Sequence, residues 1–199
     1  MRGGSIRNAG PAVTALLLSA GVAEAHIGTG GASGVAAGFL HPITGLDHVV
    51  AMIAVGLWGA QLGKPAIWLL PITFPLVMAF GGFLGLLGVS LSGVEIGIAL
   101  SGILLGAAVL TEIRPPLVAA AILVGVFAIF HGYAHGGELP PGENALFFSL
   151  GFVIATGLLH ATGILIGLFY QWPWGKITVR AAGGAVGAIG ALFLWNALA

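Results

Sequence analysis

Three ionisable side chains, His41, Asp47 and His48, lie in GFLHPITGLDHVVAMIAVGLWG (38–59), a run that is otherwise almost wholly apolar. A second group, His131, His135 and Glu138, falls in FHGYAHGGE (130–138). There the two imidazoles stand at i and i+4, on one face of a helix. His41 and His48, seven apart, are expected on one stripe two turns long, with Asp47 beside the second. His26, Glu95 and His160 complete the set. The chain has no cysteine, so any metal site must be built from nitrogen and oxygen donors. Clustered imidazoles and carboxylates suit a borderline divalent cation such as Ni²⁺, Co²⁺ or Zn²⁺, and imidazole alone does not choose among them.

Each of these residues also has a plainer explanation. A single histidine in a membrane helix is commonly a hydrogen-bond partner for a neighbouring helix, which is the better account of His160 taken alone. Glu95 and Glu138 are near enough to an interface to be solvated, and for Glu138 that is the simpler account. HxxxH without an intervening HE pair is a weak motif, and Met52, one turn past His48, reads as packing. The trio His41, Asp47 and His48 resists this treatment. An ionisable group at a membrane-helix centre costs at least about 2.5 kcal/mol, and such groups face a cavity or one another. Pro42 and Gly45, between the members of the trio, allow a distorted helix start that frees backbone carbonyls beside the site, as in the broken helices of transporters.

The elements that must position these groups are legible from composition. Of 199 residues, 58% are hydrophobic and 6% charged, far below the roughly one quarter charged residues of a soluble domain. Mean hydropathy is +1.11. The formal net charge of zero gives no reason to expect a nucleic acid as partner; the lipid bilayer is the expected surroundings. Residues 1–25 carry Arg2 and Arg7, a short apolar run and AEA ending at Ala25, the pattern of a cleavable signal peptide. The alternative, an uncleaved first helix, is disfavoured because the apolar run falls short of the roughly 20 residues a span needs. Cleavage would leave His26 as the mature N-terminus, outside the cytoplasm.

The remainder, 26–199, divides at clusters of Gly, Pro and charge into six apolar segments, 36–61, 66–88, 93–111, 116–135, 144–169 and 178–198. Unbroken apolar character over such lengths predicts helices rather than barrel strands. The expected fold is an all-α integral membrane protein, a bundle of six transmembrane helices behind a signal peptide. With the mature N-terminus outside, Lys64, Arg114, Lys176 and Arg180 all fall on the cytoplasmic side, as the positive-inside rule requires. Trp58, Trp68, Trp172 and Trp174 are expected in an aromatic belt at that boundary, with Tyr133 and Trp195 at the outer one. All six histidines, with Asp47 and Glu95, then gather in the outer half. Gly93/Gly97, Gly102/Gly106, Gly163/Gly167 and Gly183/Gly187 read as small-xxx-small helix contacts, and such surfaces leave room for a homo-oligomer. GGFLGLLG (81–88) lacks the Lys-Ser/Thr and the preceding strand of a phosphate loop, so no nucleotide or other cofactor is expected.

HPITGLDHVVAMIAVGLWG (41–59) resembles the first signature of the HupE/UreJ family of nickel and cobalt permeases, and FHGYAHGGE (130–138) resembles the second. The signal peptide, the mature start at histidine and the six following segments extend the resemblance over essentially the whole chain. It implies secondary transport of Ni²⁺, or in some members Co²⁺, in service of hydrogenase or urease maturation, by an inner-membrane protein that is not an enzyme. It assigns the metal-site roles to His41, Asp47, His48, His131, His135 and Glu138; His26 and His160 are added on position alone, with Glu95 as a further polar lining residue. Three other classes compete. An intramembrane zinc-dependent hydrolase would need a general base, for which only Glu95 offers itself. A haem protein would need histidines ligating across helices. A structural subunit leaves the buried His–Asp–His group unexplained.

Overall fold

The computed structural model describes residues 31–137 and 144–199. Residues 1–25, expected to be a signal peptide, lie outside the described residues, as do His26 and Glu138. Among those described, the chain is wholly helical: α1 Gly31–Thr44, α2 Leu46–Leu62, α3 Ala66–Leu86, α4 Val94–Thr111, α5 Leu117–Gly137, α6 Ala145–Gly167, a 3₁₀ turn Leu168–Gln171, and α7 Pro173–Leu198. Helices α3 to α7 are each long and apolar enough to cross a membrane. A sixth span exists if α1 and α2 are taken together, but these meet at an angle of 81°. The apolar segment expected at 36–61 is therefore two helices, with the expected distortion at Pro42 and Gly45 sharpened into a break. The last helix starts at Pro173, five residues earlier than expected, because proline at a helix's first position lacks only an N–H that would have no partner there.

α2 is the axis of the bundle. It packs against α3, α4, α6 and α7, while α3 pairs with α5, α4 with α7, and α1 with α6. Its side chains from His48 to Gln61 are mostly buried, whereas Leu76, Val118, Leu146, Ile177 and Trp195 on the surrounding helices project outward. That inversion of apolar residues onto the surface is what a lipid-facing bundle requires.

Glycine sets the helix separations. A methyl at Gly106 would run into the Gly187 amide, and one at Gly102 would stand 3.0 Å from the Gly190 Cα, so α4 and α7 cross nearly backbone to backbone. Gly93 departs from this pattern. It begins α4 in the left-handed region, at φ 72°, with nothing near its missing side chain, so it serves the turn and only Gly97 of that pair packs.

The basic residues collect at the end of the bundle opposite His41 and His48. Glu112 closes α4 in the left-handed region, at φ 61°. It accepts a 2.5 Å hydrogen bond from the Tyr170 hydroxyl and lies 3.5 Å from Arg180 Nη1. Lys176 and Arg114 stand over the Tyr170 ring, 5.4 and 5.9 Å from its centre. Trp68, Trp172 and Trp174 are exposed as a belt would have them, but Trp58 is not. It is buried, and its indole N–H donates to the Ile113 carbonyl at 3.1 Å. Trp58→Phe removes that bond with little change of volume and is expected to destabilise the detergent-solubilised protein by about 1 kcal/mol, read as a lowered melting temperature.

Candidate functional site

The bend between α1 and α2 builds the first half of the site. Pro42, inside α1, has no amide hydrogen to donate, and its ring crowds the preceding turn. The Thr44 hydroxyl donates back to the His41 carbonyl at 2.9 Å, and Gly45 takes extended dihedrals (φ −85°, ψ 106°) as the N-cap of α2. Asp47 stands in the first turn of α2, where negative charge favours the helix dipole, and its Oδ1 accepts the His48 amide at 2.8 Å. The distorted helix start expected around Pro42 and Gly45 is present. His41 and His48 do not share one helical stripe, however. The sharp bend swings the end of α1 back beside the start of α2, and that brings the two rings to one space.

α5 supplies the second half. Its motif separates two jobs by face: His131 and His135 lie on one, Gly132 and Gly136 on the next. A methyl on Gly132 would meet the Met78 carbonyl, and one on Gly136 the Gly82 carbonyl, both on α3. These glycines let α5 lie against α3 while its imidazoles turn towards α2.

The rings meet in a chain. Nε2 of His41 and Nδ1 of His135 share a hydrogen bond at 2.9 Å, and Nε2 of His135 shares another with Nδ1 of His48 at 3.1 Å. Beyond it, His48 Nε2 stands 3.5 Å from the Thr156 hydroxyl, at the edge of hydrogen-bond range. The His131 ring packs edge-on to that of His48, centroids 5.5 Å apart. His131 Nδ1 faces the Phe127 carbonyl at 3.0 Å. A carbonyl only accepts, so Nδ1 carries the hydrogen and Nε2 of the neutral ring is a bare lone pair.

α6 forms the facing wall with one residue per turn: Phe148, Phe152, Thr156 and His160. Phe152 lies against the rings of His41, His48 and His135, with centroids 6.1, 5.3 and 4.8 Å away. Thr156 and both phenylalanines escaped the sequence reading, although their spacing of four from His160 was a signal that could have found them. His160 is one turn beyond Thr156, roughly 6 Å deeper into the bundle, and so lies below the chain of His41, His135 and His48. It is buried, as are His48 and His131. Both ring nitrogens of His160 and Nε2 of His131 have no hydrogen-bond partner among the described residues. Each such orphan costs about 1–3 kcal/mol.

The carboxylates stand apart. Asp47 and Glu95 line a separate pocket of about 230 Å³ with Ile98, Phe193 and Asn196, between α2, α4 and α7. A cleft of about 310 Å³ between α3, α5 and α6 reaches His135 from the other side, walled by Met78, Phe83, Phe148 and Phe152. Among the described residues, no three His, Asp or Glu side chains are disposed to hold one ion together. The reason is orientation more than separation. Metal–nitrogen bonds of about 2.0–2.1 Å put two nitrogens about 2.9 Å apart when cis on an octahedral ion and about 3.4 Å apart on a tetrahedral one. The rings of this chain already have that spacing but point their nitrogens at each other. Only rotated rings could present these nitrogens to one ion.

Fold and site together define a class: a polytopic helical membrane protein with a sharply bent first helix pair and imidazoles gathered at the bend. The chain belongs to the HupE / UreJ protein family, whose match covers residues 14–193. It is 45% identical over 173 residues to Protein HupE of Rhizobium leguminosarum bv. viciae, an alignment covering 87% of this chain and 90% of that one. No solved structure matches it.

Proposed function

We propose that this protein is a secondary transporter that carries Ni²⁺, or Co²⁺, inward across the inner membrane to supply hydrogenase or urease maturation. The observation that carries the reading is the imidazole chain of His41, His135 and His48 inside an apolar bundle, in a chain that belongs to the HupE/UreJ family. Packing alone does not account for three linked imidazoles, whereas a path for a borderline cation needs them. The mature N-terminus, with His26, and the histidine end face the periplasm, and Lys64, Arg114, Lys176 and Arg180 face the cytoplasm. His26 and Glu138 belong to the capture end of the path, with Asp47 and Glu95 drawing cations to their pocket between α2, α4 and α7.

The membrane potential suffices as driving force. Moving a divalent ion inward is worth about 4.6 kcal/mol per 100 mV, twice the single-charge figure, enough for about 10³-fold accumulation. A zinc hydrolase fits less well, because Glu95, the one candidate base, lines a different pocket from the histidines.

Radiolabelled Ni²⁺ uptake by cells producing the intact protein tests the reading, with Co²⁺ and Zn²⁺ as competitors. Uptake above that of cells lacking the protein, inhibited best by Co²⁺, is the expected result; no uptake of either ion would refute it. Imidazole binds a metal only when neutral, so protons compete with the ion and uptake is expected to fall as the pH is lowered, read as initial rates across a pH series. An uptake rate that rises as the pH falls would argue against imidazole ligation.

A further inference from the structure

Among the described residues, the imidazole chain leaves two histidines unused. His131 Nε2 is a lone pair held ready, because Nδ1 is engaged by the Phe127 carbonyl. A backbone carbonyl on the far nitrogen is how proteins orient a metal-binding histidine and fix its tautomer. His160 carries two buried ring nitrogens with no partner among the described residues. Both rings contact the same apolar neighbour, Phe74, edge to face, with centroids 5.5 and 5.7 Å away. Among the described residues nothing satisfies these three nitrogens. Buried polar atoms left in that state point to an occupant, a water or an ion.

We propose that His131 Nε2 and His160, around the Phe74 ring, form a second, inner station for a divalent first-row cation, one helical turn deeper than the chain of His41, His135 and His48. The proposal rests on the permease reading only for its role in transport. The binding site itself stands on the orphaned nitrogens. The two stations are joined: His131 packs against His48, and Thr156 connects His48 to His160 along α6. An ion leaving the outer rings meets His131 first and His160 next. A path with two weak stations lets an ion enter and leave, where one deep site would trap it.

Two measurements on the full-length protein in lipid nanodiscs and in cells test this. His41→Ala/His135→Ala strips the outer chain, and that protein is expected to retain one Ni²⁺ per chain by equilibrium dialysis. Adding His160→Gln is expected to weaken this binding at least tenfold. In the otherwise intact protein, His160→Gln is expected to leave Ni²⁺ affinity at the outer rings unchanged while uptake falls at least tenfold. His131→Gln, whose native ring packs against His48, is expected to lower uptake to the same extent and replaces it if His160→Gln does not assemble. An outer-stripped protein that binds no Ni²⁺ would overturn the inner station and leave a water as occupant. Retained uptake in both glutamine variants would overturn it equally. If the unaltered protein takes up neither Ni²⁺ nor Co²⁺, the permease reading fails, and the dialysis result still decides the inner site.

Discussion

His48→Ala is expected to lower Ni²⁺ uptake by at least about tenfold, and towards 100-fold, the range found when the groups that hold or orient a metal ligand are removed. His48 is the residue on which the site converges. It is almost fully buried, shares a hydrogen bond with His135, packs against the rings of His131 and Phe152, and reaches towards Thr156. Truncation does more than delete a ligand. It strips His135 Nε2 of the neighbour that orients it and cuts the connection between α5 and α6. Because the residue is so deeply placed, a drop in uptake could also come from misassembly. His48→Gln separates the two: glutamine keeps much of the volume and can hydrogen-bond to His135, but an amide is a poor ligand for a first-row cation. Near-normal melting temperature with lost uptake in His48→Gln is the expected pattern. Normal uptake in a well-assembled His48→Gln would mean that the ion passes elsewhere, and the pocket of Asp47 and Glu95 would be the route to test.

How much of this could be read in the chain differs between the two halves of the site. The helices α3 to α6 lie close to where the apolar runs place them, because the length of an apolar run in lipid directly limits the length of a span. The histidine pair on α5 was legible for a similar reason, since i and i+4 share a face whatever surrounds the helix. The trio was read less well. The bend brings His41 and His48 to one space, whereas Asp47, about 100° round the helix from His48, lines the pocket with Glu95. His48 turns to the imidazoles and Asp47 to Glu95. The bend at Gly45 was foreshadowed by Pro42 and Gly45, yet its angle is set by the packing of α1 against α6, through Gly38 and Gly151, which no local pattern specifies. Trp58 was misplaced for the same reason. An aromatic at a span's end looks like a belt residue until one knows that its helix is the central one.

That dependence of the site on helix spacing yields the sharpest contrast among single substitutions. Gly56 and Gly157 are both glycines within apolar helices, and composition gives no ground for treating them differently. A methyl at Gly56 would collide with the His160 carbonyl and stand 2.8 Å from the Ile164 amide and 2.9 Å from the Gly163 Cα, all backbone atoms that no rotamer change can move. A methyl at Gly157 meets nothing within 4 Å. Gly56→Ala must therefore push α2 away from α6, and overpacking of this kind costs about 1–3 kcal/mol. The displacement acts where it matters, because α2 carries His48 and α6 carries Thr156 and His160. Uptake is expected to fall at least as far as in His48→Gln, together with the melting temperature. Gly157→Ala, in contrast, is expected to be neutral or to stabilise α6 by up to about 1 kcal/mol, alanine being the better helix former, with uptake unchanged. Equal effects of the two substitutions would show that α2 and α6 do not cross as closely as described, and the distances from His48 to α6 would then lose their meaning. A stable Gly56→Ala protein without uptake would show the opposite: that the site tolerates less displacement than the fold.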